Sequence, residues 1–194
     1  MRHIILLVLV FGLMACSAKP LKMNYYMLYT PLQTLDNISQ NANATKIRLN
    51  KILLADYLKQ SSLTMQINQN EMFFSRQDVW AESLQSSMYN AMLAELNQDK
   101  DRQFIAYIAP SNGKQTNEIT IQFDHFHATD QSTVIASGHF WLSLSTTQEP
   151  IEKSFLLSLP LHEDGYSHAV MQQRALLHLL AADIQQEVVK LERP

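Results

Sequence analysis

Glycine is the scarcest structural resource here, with four in 194 residues. Gly12, Gly113, Gly138 and Gly165 stand far apart, so no glycine-rich loop can cradle a phosphate, and P-loop or dinucleotide binding of that kind is excluded. Cysteine is rarer still. Cys16 is alone, which leaves no partner for an internal disulfide. Basic charge is also in short supply: the formal net charge is −3. Such a balance carries neither the electrostatic footprint of a nucleic-acid binder nor a polybasic patch for a membrane surface. No apolar run after residue 14 is long enough to span a bilayer, so the body is expected to be soluble. No internal repeat is present. Serines are plentiful, yet none sits in a nucleophile-elbow pattern, and no catalytic constellation emerges, so an enzyme is not expected.

What is present starts at the N-terminus. Arg2 and His3 make a short cationic start, Ile4 to Met14 is almost wholly apolar, and Ala15 is a small residue just before Cys16. This is the layout of a secretory signal peptide. Eleven helical residues reach only about 16 Å against a hydrocarbon core of roughly 30 Å, so the run cannot span. Leu13-Met14-Ala15-Cys16 also resembles the bacterial lipobox, in which the cysteine is lipidated and becomes the mature N-terminus. That resemblance divides the chain into a signal peptide over 1–15, a lipidated tether over 16–24 and one periplasmic domain over 25–194. Ser17, where a retained inner-membrane lipoprotein tends to carry Asp, implies the outer membrane. Removing fifteen residues leaves 179, enough for a single well-cored domain.

Along that domain, Tyr25 to Tyr29 reads as a first strand of aromatic β-formers. Gln33 to Ala44, rich in Asn, Gln and Ser, reads as an exposed loop. Lys46 to Leu54 alternates Ile47, Leu49 and Leu53 against polar residues, as a half-buried strand does. A brief turn at Asp56-Tyr57-Leu58 and two short strands, 63–68 and 71–75, follow. From Asp78, a plausible helix cap, Trp80, Leu84, Met88, Met92 and Leu96 recur at four-residue spacing. They predict an amphipathic helix ending near Asn97, with Glu82, Gln85, Asn90 and Glu95 on wet faces. A strand over 103–109 and a turn at 111–114 come next.

The clearest β-structure is the hairpin. Ile119, Ile121 and Phe123 alternate with Thr120, Gln122 and Asp124. Past a turn at Asp130-Gln131, Val134, Ala136, Phe140, Leu142 and Leu144 share one face. The register that aligns both apolar faces pairs Phe123 with Gly138, Ile121 with Phe140, Gln122 with His139 and Asp124 with Ser137. A third strand over 154–159 completes a meander. Ser167 is the expected cap of a last helix with Val170, Leu177, Leu180, Ile184, Val188 and Leu191 inward, and Gln172, Gln173, Gln185 and Glu187 outward. The expected fold is α+β: an antiparallel-rich β-sheet with two long amphipathic helices packed on one face.

Strand parity decides the histidines. His125 and His127 continue the face of Ile119, Ile121 and Phe123, whereas His139 belongs with Ile135 and Trp141 on the reverse. That separation argues against a metal site, and no cofactor is expected. Asp78 and Glu82 are explained by favourable charge at a helix N-terminus. Trp80 is expected in the core. Trp141, with His139 beside it on the reverse face, is the candidate partner-binding pair, since exposed aromatics anchor interfaces.

Several landmarks together resemble one family. They are the cysteine of the lipobox, Tyr25-Tyr26-x-Leu28, and Ala55-Asp56-Tyr57-Leu58 after an apolar strand. Trp80-Ala81-Glu82-x-Leu84, Phe123-Asp124, Trp141 and the Ala- and Leu-rich last helix complete the set. The chain resembles the PqiC family of ABC-type transport auxiliary lipoproteins. The resemblance implies a non-enzymatic, outer-membrane component of an intermembrane lipid transport system. Its partner would be an MCE-domain protein that forms the tunnel, and its membrane contact the lipid on Cys16. A homo-oligomer is compatible with that role. The rival class is an envelope lipoprotein that acts on a cell-wall synthase or an assembly machine.

Overall fold

The computed structural model describes residues 21–29, 45–98, 102–109, 117–147 and 149–192. Cys16, the expected loop over 33–44 and the turn over 111–114 lie outside the described residues. In chain order the elements are β1 (Asn24–Tyr26), β2 (Thr45–Leu54), a 3-10 turn (Asp56–Lys59), β3 (Ser62–Asn68), β4 (Glu71–Trp80) and α1 (Leu84–Leu96). They continue as β5 (Arg102–Ala106), β6 (Asn117–Thr129), β7 (Thr133–Ser143), β8 (Ile151–Pro160) and α2 (Tyr166–Glu192).

The eight strands among the described residues join one sheet that forks at β6. One edge of β6 carries β7 and then β8, both antiparallel. The other edge is shared. β2 lies along its first half, from Ile47↔Asn117 to Leu54↔Phe123, and β3 meets its end at Met65↔Ala128. The 3-10 turn lets the chain step from β2 to β3 while both stay parallel to the same strand. β5 lies beyond β2, and β4 then β1 lie beyond β3. The sheet is therefore mixed, with parallel pairs β1–β4, β2–β5, β2–β6 and β3–β6 among the described residues. The antiparallel-rich expectation holds for the β6–β7–β8 meander and the β3–β4 pair and is corrected for the rest of the sheet. Alternation reports which face a side chain takes but not the direction of the neighbouring strand, and long connections containing a helix permit parallel pairing.

One core joins the parts. Ile119, Ile121 and Phe123 of β6 and Val134, Ala136, Phe140 and Leu142 of β7 cluster with both helices. α1 contributes Leu84, Met88, Ala91, Met92 and Leu96, and α2 contributes Val170, Leu177, Leu180, Ile184 and Val188. These are the stripes that the four-residue spacing predicts. Trp80 is buried as expected, but in β4 rather than in the helix. The helix begins six residues after Asp78, with Ser83 in the cap position. Asp78 serves the sheet instead: Asn24, Tyr26 and Ser75 all donate hydrogen bonds to its carboxylate. Burial pushes that carboxyl's pKa up, but the three donors outweigh it and hold it below the usual value. Likewise Ser167 lies inside α2, whose first turn closes from Ala169 N–H to the Gly165 carbonyl.

Two polar residues expected on wet faces are buried, because α1 packs alongside α2 and leaves those faces no water. Gln173 is one and Glu95 the other. Glu95, only 6% exposed, accepts from Arg174 Nη2 at 2.5 Å and faces His178 Nδ1 at 2.9 Å. The Arg174 guanidinium also sits 5.7 Å from the centre of the Tyr29 ring. Removing one partner of a buried pair strands the other charge. Glu95→Ala is therefore expected to lower stability by about 3 kcal/mol, read as a fall in the urea midpoint. An unchanged midpoint would show that this ion pair does not fasten the helices together.

Candidate functional site

The hairpin face turned away from the core is built by one irregularity. β6 and β7 pair as the apolar faces require: Ile121↔Phe140, Gln122↔His139 and Phe123↔Gly138. The next pair is His125↔Ser137, so Asp124 is an extra residue in a bulge. One inserted residue reverses parity downstream. Phe126 and Ala128 now take the core side, opposite Ala136 and Val134. His125 and His127 join His139 and Trp141 on the outer side. The expected separation of the histidines and the Asp124–Ser137 pairing are both corrected. The sequence carries the signal: the core residues Ile119, Ile121, Phe123, Phe126 and Ala128 are spaced by two, two, three and two.

Asp124 meets His139 despite the shift. Its Oδ2 lies 3.5 Å from His139 Nε2, and its Oδ1 accepts from Gln122 Nε2 at 2.8 Å. On the other side of the ring, His139 Nδ1 is 3.3 Å from both Glu152 Oε1 and Ser154 Oγ. Glu152 and Ser154 come from β8, opposite Trp141 and His139. The Trp141 ring lies over His139, centroids 6.1 Å apart and planes 26° from parallel. Both side chains are half-exposed. The two residues singled out as a partner-binding pair thus form one stacked unit, braced by carboxylates from neighbouring strands.

The same face ends in a dry patch around the bulge. His127 is fully buried, with Nδ1 3.0 Å from the Ala128 carbonyl. That contact places the proton on Nδ1, and burial lowers the pKa so the ring stays neutral. Tyr57, from the 3-10 turn, tilts against His127 at 6.1 Å and donates its hydroxyl to the Asp124 carbonyl at 3.2 Å. Burial pushes the Tyr57 phenol up to about 12. Tyr57 therefore pins the bulge from above. His125, more exposed, hydrogen-bonds Ser137 Oγ at 2.9 Å.

Ser154, His139 and Asp124 have the composition of a charge relay. They stand on an open sheet face, however, where backbone N–H groups lie in the plane of the ladder rather than aimed at a substrate above it. Among the described residues, no three His, Cys, Asp or Glu side chains are grouped to hold a metal ion. The geometry is that of an aromatic plane whose polar neighbours are already engaged with one another.

A forked mixed sheet and two helices sharing its core define a domain of the α+β class. The chain belongs to the family of ABC-type transport auxiliary lipoprotein components, whose model matches residues 26–185. A solved structure described as an uncharacterized protein is similar at 20% identity, with a TM-score of 0.72 over 86% of this chain and 99% of that one. Protein XCC0632 from Xanthomonas campestris, of the DUF330 family, is similar at 12% identity, with a TM-score of 0.59 over 76% of this chain and 85% of that one. At such identities these likenesses show the fold alone. No curated protein matches significantly.

Proposed function

We propose that this chain is a non-enzymatic, outer-membrane lipoprotein that docks the far end of an MCE-type transport tunnel and so helps hydrophobic substrate pass between membranes. In this reading residues 1–15 are removed, lipid on Cys16 holds the protein to the periplasmic leaflet, and residues 25–194 form the docking domain. Family membership supports the transport role, and the lipobox supports the anchor. The observation that carries the reading is the stacked, half-exposed Trp141–His139 unit on the hairpin face opposite the core residues of β6 and β7. Rigid, half-exposed aromatics ringed by satisfied polar groups are the usual anchors of protein interfaces. Tethering raises the local concentration of such a surface at the membrane and strengthens modest contacts.

Affinity capture of the full lipidated chain from detergent-solubilised envelope is expected to recover an MCE-domain protein. Trp141→Ala is expected to cut that recovery by about tenfold or more, as removal of an interface anchor does. Repeated capture without any MCE-domain protein would refute the docking role. Full recovery by the Trp141 variant would move the docking surface elsewhere on the domain.

A further inference from the structure

A second surface lies where β5 parts from β2. β5 pairs with β2 only as far as Ala106↔Leu49, and β2 itself bulges at Asn50. Beyond that point the edge of β2 faces α1 across a groove of about 550 Å³. Volumes of this size are typical of small-molecule sites. Its polar backbone is already satisfied from inside: Tyr89 Oη donates to the Leu49 carbonyl at 2.8 Å, and Gln85 Nε2 to the Ile52 carbonyl at 2.6 Å. An added peptide strand would find those acceptors occupied, which disfavours β-augmentation there. What faces the groove is largely hydrocarbon, including Leu93 and Ile108.

The far wall is held open by a buried cation. Arg48, 7% exposed, donates from Nη1 to the carbonyls of Ala106, Tyr107 and Ala109 at 3.3, 2.7 and 2.9 Å. Tyr107 N–H donates to Tyr89 Oη at 2.9 Å, and the two rings meet edge to face. The turn is thus fixed from within while Tyr107 and Ile108 stay 59% and 75% exposed. The guanidinium is also paired with Glu118, Nε to Oε1 3.9 Å, so the turn that presents Tyr107 and Ile108 is set before any ligand arrives. Lys51 is the only charged side chain among the described residues that line the groove, in a chain of net charge −3.

We propose that this groove binds one acyl chain of an anionic amphiphile, with hydrocarbon between Leu93 and Ile108 and the head group at Lys51. It rests on the transport reading only for the source of that ligand, a free fatty acid or a phospholipid. The test uses the full lipidated protein in nanodiscs of zwitterionic phosphatidylcholine. Two photoactivatable probes are added separately, a diazirine fatty acid and a phosphatidylglycerol with the diazirine in its acyl chain, and the labelled peptides are mapped by mass spectrometry. Label is expected on residues 85–93 and 104–109. Ile108→Asp and Ser86→Trp, both at exposed positions, are expected to lower it about tenfold, and Lys51→Glu about threefold. Labelling by either probe alone supports the proposal and identifies the source. Label scattered over the surface, label unchanged in the variants, or a peptide captured in the groove instead would overturn it. Capture of an MCE-domain protein is measured in parallel. Docking without groove labelling overturns the groove alone, and labelling without docking overturns the tunnel reading alone.

Discussion

Gly138→Ala is expected to cost about 3 kcal/mol or more of stability, at the upper end of what overpacking does. Gly138 sits at the middle of β7, opposite Phe123 on one side and Phe155 on the other. A Cβ placed there would lie 1.9 Å from the Gln122 carbonyl oxygen and 2.9 Å from its carbon. These are backbone atoms of β6, so no side-chain rotation relieves the clash, and the strands themselves must part. They would part beside the Asp124 bulge, where the ladder is already interrupted. The rings of Phe123 and Phe155 also meet edge to face at 5.4 Å across this glycine, an arrangement that covers the missing side chain. Parting β6 from β7 would therefore loosen the core and tilt the outer face together. The check is the denaturant midpoint of Gly138→Ala beside that of Ser137→Ala. The neighbour gives up only a hydrogen bond to His125 and should lose about 1 kcal/mol or less. A wild-type midpoint for the glycine variant would refute the close approach.

The part of this architecture legible in the sequence is the part fixed by local periodicity. Alternation from Ile119 to Leu142 set the hairpin register as far as Phe123↔Gly138, because any other register would turn apolar residues outward. The inward stripes of both helices follow in the same way. The outer face was harder to read. The chemical character of Asp124 does not mark a bulge, and only the three-residue step from Phe123 to Phe126 does. Trp80 misled for the opposite reason: its spacing of four from Leu84 imitates a helix, while the chain is still extended and Asp78 is bound to β1.

Buried charge was the least legible feature. Glu95 and Arg48 look like surface residues in sequence, since nothing local tells that α2 will cover the one or that three carbonyls will converge on the other. Strand direction was hidden too, because it depends on how β2 and β3 share an edge of β6 far along the chain. The pair of Trp141 and His139 shares a strand face as the alternation along β7 predicts, because β7 itself carries no bulge between them. What makes it a rigid unit comes from β6 and β8, and no local pattern announces Asp124 or Glu152 as its braces.

Cys16→Ser in the full chain is expected to move the protein from the membrane pellet to the soluble periplasmic fraction. Each acyl methylene buried in a bilayer is worth about 0.8 kcal/mol, and one fourteen-carbon chain alone gives reversible binding of about 10⁴ M⁻¹. Several chains on one cysteine make attachment effectively permanent, and a serine hydroxyl accepts none of them by thioether chemistry. Among the described residues little else can substitute. No helix among the described residues is long and apolar enough to cross a membrane. Leu21, Met23, Tyr25 and Met27 are exposed where the tether meets the domain, but a fully buried side chain of this kind contributes only about 1.5–3 kcal/mol. Loss of the anchor also removes the concentrating effect on the Trp141 face. Recovery of the MCE-domain protein and the barrier function of the outer membrane should then fall with it, although the variant folds as the wild type does. Fractionation after osmotic shock and a salt wash reads the first effect, and detergent sensitivity of cells carrying only the variant reads the second. A Cys16→Ser protein that stays in the washed pellet and still restores detergent resistance would overturn both the anchor and the docking role built on it.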